Sequence, residues 1–199
     1  MGTRGGKLTL IPPPSEGGEV SADERSDDDL MLLARGGVAG AFATLVTRHQ
    51  ARALRVVARR LGRDAPSADV VQNTFLEVYR ALPRYQPRGQ FRAYLFRVLL
   101  NQCRMAHRAA RIEARHRPVA ETPAAVAPHE SEVLARERER DTEAAVARLS
   151  AKLRDVVLLR YTGELSYHEI AAALGIPVGT VKRRLFDAIK KLRELMEPS

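Results

Sequence analysis

The stretch LSYHEIAAALGIPVGTVKRRLFDAI, residues 165–189, predicts two short helices joined by a tight turn. Ser166 and Glu169 have the S-x-x-E spacing of a capping box, in which each side chain accepts a hydrogen bond from the other's backbone N–H. Gly175 suits the end of that first helix, because glycine adopts a left-handed backbone without steric cost. Pro177 then favours the first turn of a second helix, where its missing N–H costs no hydrogen bond. Together these signals form a helix-turn-helix pattern.

The second helix of this pair is basic in its N-terminal part, which is the part that enters the DNA major groove in a helix-turn-helix. The guanidinium fork of Arg183 suits guanine, and the ring of Phe186 suits a thymine methyl group. The predicted contacts with duplex DNA are Thr180, Lys182, Arg183, Arg184 and Phe186. The alternative is a helical hairpin whose basic face is only solvated. The capping box, glycine turn and basic helix together favour DNA binding.

A second basic feature lies in residues 91–115, where arginines recur every three or four positions along one helical stripe. The adjacent stripe is apolar and is predicted to face a core; it contains Phe91, Leu95, Val98, Leu99 and Met105. Cations beside aromatic rings are what a single DNA strand requires. The predicted single-strand contacts are Arg92, Tyr94, Phe96, Arg97, Asn101, Arg104, Arg108 and Arg111. A solvated helix face is the alternative explanation.

Composition narrows the class of protein. The chain has 199 residues and a net charge of +9, which favours a polyanionic partner. A single cysteine, Cys103, excludes an intrachain disulfide and fits a reducing, cytoplasmic compartment. No apolar run approaches the ~18 residues of a membrane span. Cys103 and His107 are suitably spaced for a metal but lack further ligands, and nucleophile motifs are missing. We therefore expect no metal, no cofactor and no catalytic activity.

The predicted fold is all-α, with two small helical domains, because helical periodicity dominates and sustained alternation is absent. Residues 1–25 are rich in Gly and Pro and are predicted to form a disordered tail. A first domain is expected over 26–115. A Pro-rich flexible linker over 116–130 then leads to a second domain over 131–199.

The first domain is expected to contain four helices. The first begins at Ser26, a good N-cap, and ends at Gly36; the acidic residues Asp27 to Asp29 suit the positive end of its dipole. The others are expected at about 38–61, from near Ser67 to Leu82, and from about Gln90 past Arg108. Gly62 and Pro83 separate them.

These residues also resemble a known family. LRDVVLLRYTGELSYHEIAAALGIPVGTVKRRL, residues 153–185, is similar to the promoter-binding domain of bacterial sigma factors, best to the extracytoplasmic-function (ECF) group of the sigma-70 family. ADVVQNTFLEVYRAL, residues 68–82, resembles the helix that grips the clamp helices of RNA polymerase. FRAYLFRVLLNQCR, residues 91–104, resembles the helix that binds and opens the −10 element. The resemblance implies a region 2 helical bundle and a region 4 helix-turn-helix.

The resemblance implies partners as well. Core RNA polymerase would contact the first domain through its clamp helices, at Asp69, Gln72, Asn73 and Phe75, and the second domain through its flap. Asn73 stands where an acidic residue is more usual, and Asp187 where a basic residue is often found. An anti-sigma factor that masks both domains is expected, and such a factor can hold the chain at the membrane. The chain itself is expected to be cytoplasmic and not inserted in a membrane.

The expected function is therefore that of an ECF sigma factor. The helix-turn-helix would read the −35 element, and residues 84–111 would recognise and melt the −10 element. Three alternatives remain open: a stand-alone helix-turn-helix regulator, an enzyme with a DNA-binding tail, and an adaptor that binds polymerase without promoter specificity. Run-off transcription with core polymerase distinguishes them, because only a sigma factor restores specific initiation.

Overall fold

The structure is a computed structural model, which describes residues 25–62, 65–114 and 140–196. These residues form helices and short turns, without a strand, so the prediction of an all-α fold is confirmed. The predicted linker lies outside the described residues, and so does the predicted tail apart from Arg25.

Two helical units follow each other along the chain. The first contains α1 (Asp27–Arg35), α2 (Ala41–Leu61), α3 (Ser67–Arg80), a 3₁₀ turn (Leu82–Arg84) and α4 (Phe91–Ala114). The second contains α5 (140–148), α6 (Ala151–Val157), a π-helical turn (Leu158–Thr162), α7 (Tyr167–Leu174) and α8 (Val178–Met196).

The helix ends of the first unit follow the local signals of the sequence. The Ser26 hydroxyl accepts a hydrogen bond from the Asp29 N–H at 3.1 Å and so caps α1. Gly62 ends α2 with a φ of 99°, which a residue with a side chain rarely adopts. The start of α3 is different, because Pro66 occupies the N-cap position and no side chain caps this helix.

The core of the first unit lies where α2, α3 and α4 meet. Leu45, Val56, Val78, Leu95 and Leu99 are fully buried there. The prediction that Met105 belongs to this core is wrong, because 62% of its surface is exposed. Beyond position 106, the described side chains of α4 are exposed, so the helix outruns the bundle that covers its first turns.

An ion cluster fixes α1 on α2. The Asp27 carboxylate accepts hydrogen bonds from Arg48 at 3.0 Å and from His49 Nε2 at 2.8 Å. Burial raises the pKa of Asp27, but the hydrogen bonds and positive charge of His49 and Arg48 outweigh it, so the pKa lies below its usual value. The charged carboxylate therefore stabilises the folded state.

The helix-turn-helix of the second unit forms as predicted. Ser166 Oγ accepts from the Glu169 N–H at 3.2 Å, and Glu169 Oε2 accepts from the Ser166 N–H at 2.7 Å. Gly175 is left-handed, with φ 66° and ψ 38°. Pro177 lies one residue before α8, and its carbonyl accepts from the first amides of that helix.

A tight corner precedes this motif. Arg154 closes the C-terminal end of α5, since its guanidinium donates to the carbonyls of Val146, Ala147 and Leu149. After α6 the chain widens into the π-helical turn, which the Gly163 N–H closes on the Leu158 carbonyl at 2.8 Å. This turn projects toward α2 of the first unit.

The two units pack against each other. Helix α4 lies on α7, and α2 lies on the π-helical turn. Buried apolar side chains of both units form one continuous cluster. Within the contact, Arg60 Nε lies 2.6 Å from Asp155 Oδ1, and these side chains are only 10% and 8% exposed.

Replacing Asp27 with Asn should lower the free energy of unfolding near pH 7 by about 1–3 kcal/mol, because a half-buried charged acceptor of two hydrogen bonds is lost. The folded-state pKa lies below the unfolded value of about 3.9, so this stabilisation is complete above that pH and is lost as pH falls through the folded pKa. Urea denaturation followed by circular dichroism measures the difference at both ends of this range.

Asp29→Asn is the matched control, because Asp29 lies in the same first turn but its carboxylate accepts from the Ser26 hydroxyl at 2.6 Å. The stability gap between the wild type and Asp27→Asn should narrow as pH falls through the folded-state pKa of Asp27. A gap that keeps its neutral-pH size in acid would contradict the assignment.

Candidate nucleic-acid interface

The N-terminal half of α8 presents the predicted duplex-binding face. Lys182 and Arg183 are exposed, and Phe186 has 70% of its surface exposed although it is a large apolar side chain. Thr180 and Arg184 are half-buried at the edges of this face. The structure thus brings all five predicted residues to one end of one helix, opposite the buried stripe Val181, Leu185 and Ala188.

A cavity of about 430 Å³ lies where the segment 84–90 meets the first turns of α4. This volume falls within the ~300–1,000 Å³ of small-molecule sites. Cationic and aromatic side chains contribute to its lining, among them Arg84, Tyr85, Arg88, Tyr94 and Arg97. Burial, followed by the negative charge of Glu77, raises the pKa of Tyr94, so its ring is neutral.

Asp28 holds this segment in place from α1. The Tyr85 hydroxyl donates to Asp28 Oδ1 at 2.6 Å, and the Gly89 N–H donates to Asp28 Oδ2 at 2.5 Å. Arg35 adds a bond to the Tyr85 carbonyl at 3.3 Å. The sequence pattern explained Asp28 only as a residue near a helix start. Its partners lie 57 and 61 positions away, beyond the reach of any local signal.

The predicted arginine stripe on α4 is mostly exposed. Arg97, Asn101, Arg104, Arg108 and Arg111 are all exposed, and Arg104 donates to Asn101 Oδ1 at 2.8 Å. The prediction that Phe96 contacts DNA is wrong, because its side chain is completely buried. Phe96 shares the core-facing stripe with Leu99, Leu100 and Cys103, one helical step away from Arg97.

Arg92, Arg97 and Arg104 also contact the second unit, which the sequence did not indicate. Arg92 donates to the Glu164 carbonyl at 2.7 Å and lies 3.4 Å from the Glu169 carboxylate. Arg97 donates to the Ala172 carbonyl on α7. Arg104 lies 3.9 Å from Asp155.

An apolar groove of about 470 Å³ runs between α2 and α3. Gln72 and Phe75, two of the predicted polymerase contacts, line it, although Phe75 is only 6% exposed. The other two, Asp69 and Asn73, are exposed but do not line it.

Sequence reasoning missed the two most exposed apolar residues of this groove. Leu76 is 43% exposed and Tyr79 is 55% exposed. The signal was present, since positions 72, 75, 76 and 79 form one helical stripe.

A second apolar cavity, of about 610 Å³, opens between α5, α6 and α8. Its apolar lining includes Val146, Leu158, Ile189, Leu192 and Met196. Arg59 of α2 and Arg193 of α8 also line it.

The described residues hold no cluster of three or more His, Cys, Asp or Glu side chains suited to a metal ion. Cys103 is buried on the core-facing side of α4, and burial raises the pKa of its thiol to about 11. Within the described ranges, no helix is both long enough and apolar enough to cross a membrane.

Comparison with known proteins gives the same two-part division. Residues 45–112 match the family model of sigma-70 region 2, and residues 139–192 match that of sigma-70 region 4. The chain is 34% identical to the RNA polymerase sigma factor CarQ of Myxococcus xanthus over 81% of this chain and 92% of CarQ. It is 28% identical to the ECF RNA polymerase sigma-E factor of Haemophilus influenzae over 89% of this chain and 98% of that protein.

Solved structures agree on the fold. CnrH, solved with the cytosolic domain of CnrY, is 30% identical and matches with a TM-score of 0.65 over 85% of this chain and 96% of CnrH. The sigma factor RpoE of Bartonella quintana, solved with the anti-sigma factor NepR, matches with a TM-score of 0.62 at 22% identity, over 79% and 98% of the two chains. With both regions present in order along its sequence, the chain belongs to the sigma-70 family of RNA polymerase sigma factors, in the ECF group.

Proposed function

We propose that this sigma factor docks on core RNA polymerase through the groove between α2 and α3, reads the −35 element with α8, and holds the melted −10 strand at α4. The observation that carries the proposal is the cavity beside the arginine stripe. It places neutral rings next to cations that continue along one helix. A single nucleic-acid strand requires this combination, because bases stack on rings and phosphates pair with cations.

The −35 element would be read by α8. Arg183 and Lys182 are long, exposed donors that suit guanine edges or phosphates, and exposed Phe186 suits a thymine methyl group. Thr180 and Arg184 flank them and are proposed to position the helix on the backbone. The capping box and Gly175 fix the angle of α8 to α7, so the whole motif enters the groove as one rigid piece.

The −10 element would be captured after its bases unstack. Extruding a base costs a few kcal/mol, and the cost is offset when a pocket receives it. The cavity at 84–97 offers the rings of Tyr85 and Tyr94 to such a base. Arg97, Arg104, Arg108 and Arg111 would then neutralise the phosphates that follow, with Asn101 within reach of a base edge. Arg92, in the first turn of α4 and outside this stripe, is proposed to contact the same strand.

Core polymerase would cover the groove between α2 and α3. An exposed Leu76 and Tyr79 beside the ring of Phe42 is a costly surface to leave in water, and apolar patches of this kind mark protein interfaces. Gln72 and Phe75 lie in the groove, and Asp69 and Asn73 are proposed to meet polar groups at its edge. The apolar cavity between α5, α6 and α8 is proposed to receive the polymerase flap.

Other parts of the proposal follow from this role. The functional domains are assigned to 26–115 and 131–199, joined by the segment 116–130. The chain acts without catalysis of its own, in the cytoplasm with the promoter DNA. Since a similar sigma factor has been solved with an anti-sigma factor, we extend an anti-sigma partner to this chain.

Run-off transcription with purified core polymerase tests the function as a whole. The wild type should give one specific transcript from its promoter. Leu76→Asp should reduce affinity for core polymerase at least ~10-fold, because it places a charge in the apolar interface. Leu54→Asp, at the far edge of the same groove and 36% exposed, is a graded comparison with a smaller expected effect. Normal core binding by Leu76→Asp would remove the groove from the proposal.

Arg104→Glu combined with Arg108→Glu should weaken open-complex formation while the protein stays folded, because both side chains are exposed. Permanganate footprinting of the −10 region measures the opening. Each lost phosphate contact should also reduce the log–log salt slope by about 0.7 for a single strand. Lys190→Glu with Lys191→Glu is the control for charge at exposed positions outside α4. Unchanged opening in the α4 variant would contradict the strand assignment.

Asp28→Ala should weaken binding of a single-stranded −10 oligonucleotide about tenfold, since it releases Tyr85 and the Gly89 amide from their shared acceptor. Binding of a −35 duplex should not change, because α8 is untouched. Asp29→Ala is the matched control in the same helical turn. Equal loss with Asp28→Ala and Asp29→Ala would show that α1 capping, and not the segment 84–90, is responsible.

A further inference from the structure

We infer that His49 is a positioning residue for the cavity at 84–97, which it shapes through α1 on one side and through the ring of Phe91 on the other. His49 lies in α2 and does not line the cavity itself. The inference rests on the proposed strand site and deepens it, because it names the buried side chain that holds two walls of that site in register.

The His49 side chain is a buried donor. Only 4% of the residue is exposed, and its Nε2 atom lies 2.8 Å from Asp27 Oδ2. The pKa of Asp27 lies below its usual value, so near neutral pH this carboxylate is charged and can only accept. Nε2 therefore carries the hydrogen. Arg48 donates to the other oxygen of Asp27 at 3.0 Å, so the loss of His49 would leave that carboxylate held on one side only.

The second ring nitrogen of His49 indicates that the ring itself is used. Nδ1 is buried and has no hydrogen-bond partner within the described residues. A buried polar atom without a partner destabilises the folded state, so a side chain that only filled space or only donated to Asp27 would suit this position better. Histidine combines a flat ring with an N–H donor in a side chain of this size. We therefore assign a function to each of the two features.

The N–H donor acts through α1. It fixes Asp27 on α2, and the next residue, Asp28, accepts from the Tyr85 hydroxyl at 2.6 Å and from the Gly89 N–H at 2.5 Å. Because Asp27 and Asp28 share the first turn of α1, a shift of one moves the acceptors of the other. The position of the segment 84–90 therefore depends on the bond from His49.

The ring acts through a series of aromatic contacts. Its centroid lies 5.4 Å from that of Phe91, which is 3% exposed and is the first residue of α4. Phe91 lies edge-on to Tyr85 at 6.3 Å and 71°, and Tyr85 lies 5.7 Å from Tyr94. Both tyrosines line the cavity. Removing the ring of His49 would leave Phe91 without packing on one side, so the two tyrosine rings would lose their fixed spacing.

Two variants of the full chain separate these routes. His49→Phe keeps a ring against Phe91 and removes the donor to Asp27, whereas His49→Gln keeps an N–H donor and removes the ring. Each should weaken binding of a single-stranded −10 oligonucleotide about fivefold, because each loosens one wall of the site. His49→Ala should weaken it more than either. Binding of a −35 duplex should not change, because α8 is untouched.

Val56→Ala is the control for stability alone. Val56 is fully buried in α2, about two turns from His49, and does not line the cavity. Urea denaturation should show a loss of stability in this variant, while binding of the −10 oligonucleotide, measured where every variant is folded, should stay at the wild-type level. A loss of −10 binding equal to that of the His49 variants would overturn the inference, because the effect would then be one of stability.

A spectroscopic measurement without DNA reports the cavity directly. The chain has five tyrosines, and ¹⁹F NMR of protein labelled with 3-fluorotyrosine gives each its own resonance. His49→Phe and His49→Gln should shift the resonances of Tyr85 and Tyr94, which line the cavity. The resonances of Tyr161 and Tyr167 in the second unit should stay in place, and Val56→Ala should leave all four unchanged.

A double-mutant cycle tests the route through α1. Asp28→Ala already releases Tyr85 and the Gly89 amide, so adding His49→Phe to it should weaken −10 binding little further. Equal losses from His49→Phe in the wild-type and Asp28→Ala backgrounds would overturn the inference, because His49 would then act on the site by another route.

Wild-type −10 binding by both His49→Phe and His49→Gln would also overturn the inference. The variant Arg104→Glu with Arg108→Glu then separates this result from a failure of the proposed function. If that variant loses binding of the −10 oligonucleotide while the His49 variants keep it, the strand site stands and only the positioning role is lost. If that variant also binds normally, the strand site itself is wrong, and the role of His49 falls with it.

Discussion

The burial of one stripe of α4 sets the orientation of the whole first unit. Leu95, Phe96, Leu99, Leu100 and Cys103 have at most 1% of their surface exposed, so α4 can take only one rotational setting between its neighbours. In that setting the positions one helical step away face outward, and these positions are arginines. The candidate nucleic-acid face therefore follows from the core. An α-helix has 3.6 residues per turn, so residues next to the buried positions in sequence lie on another side of the helix.

Negative charge is the complementary constraint. The chain carries 33 Lys and Arg against 24 Asp and Glu. Because acidic residues are fewer, the position of each carboxylate decides which basic side chains form ion pairs within the protein. Asp27 joins α1 to α2, Asp28 holds the segment that forms the cavity, and Asp155 joins the two units. Residues that look like a simple helix start in the sequence therefore determine the shape of a candidate base-binding site.

Much of the fold follows from local chemistry that is visible in the sequence. The capping box at Ser166, the left-handed Gly175 and the core periodicity of α4 each depend on residues within a few positions of one another. The wrong predictions concern residues whose burial depends on the packing of other helices and not on their sequence neighbours. Phe96 lies beside cationic residues in the sequence yet points into the core, and Met105 continues an apolar stripe past the end of the helices that cover it. The contacts of Asp28 and Arg97 join residues dozens of positions apart, and no periodicity encodes such pairs.

The contact between the units combines a buried and an exposed ion pair. The Arg60–Asp155 pair is nearly excluded from water, and breaking it inside a closed interface would leave an uncompensated charge. Separation of the units avoids that penalty, because both groups then regain water. The Arg52–Glu164 pair, with 25% and 56% of its side chains exposed, contributes little to affinity but helps to fix the register.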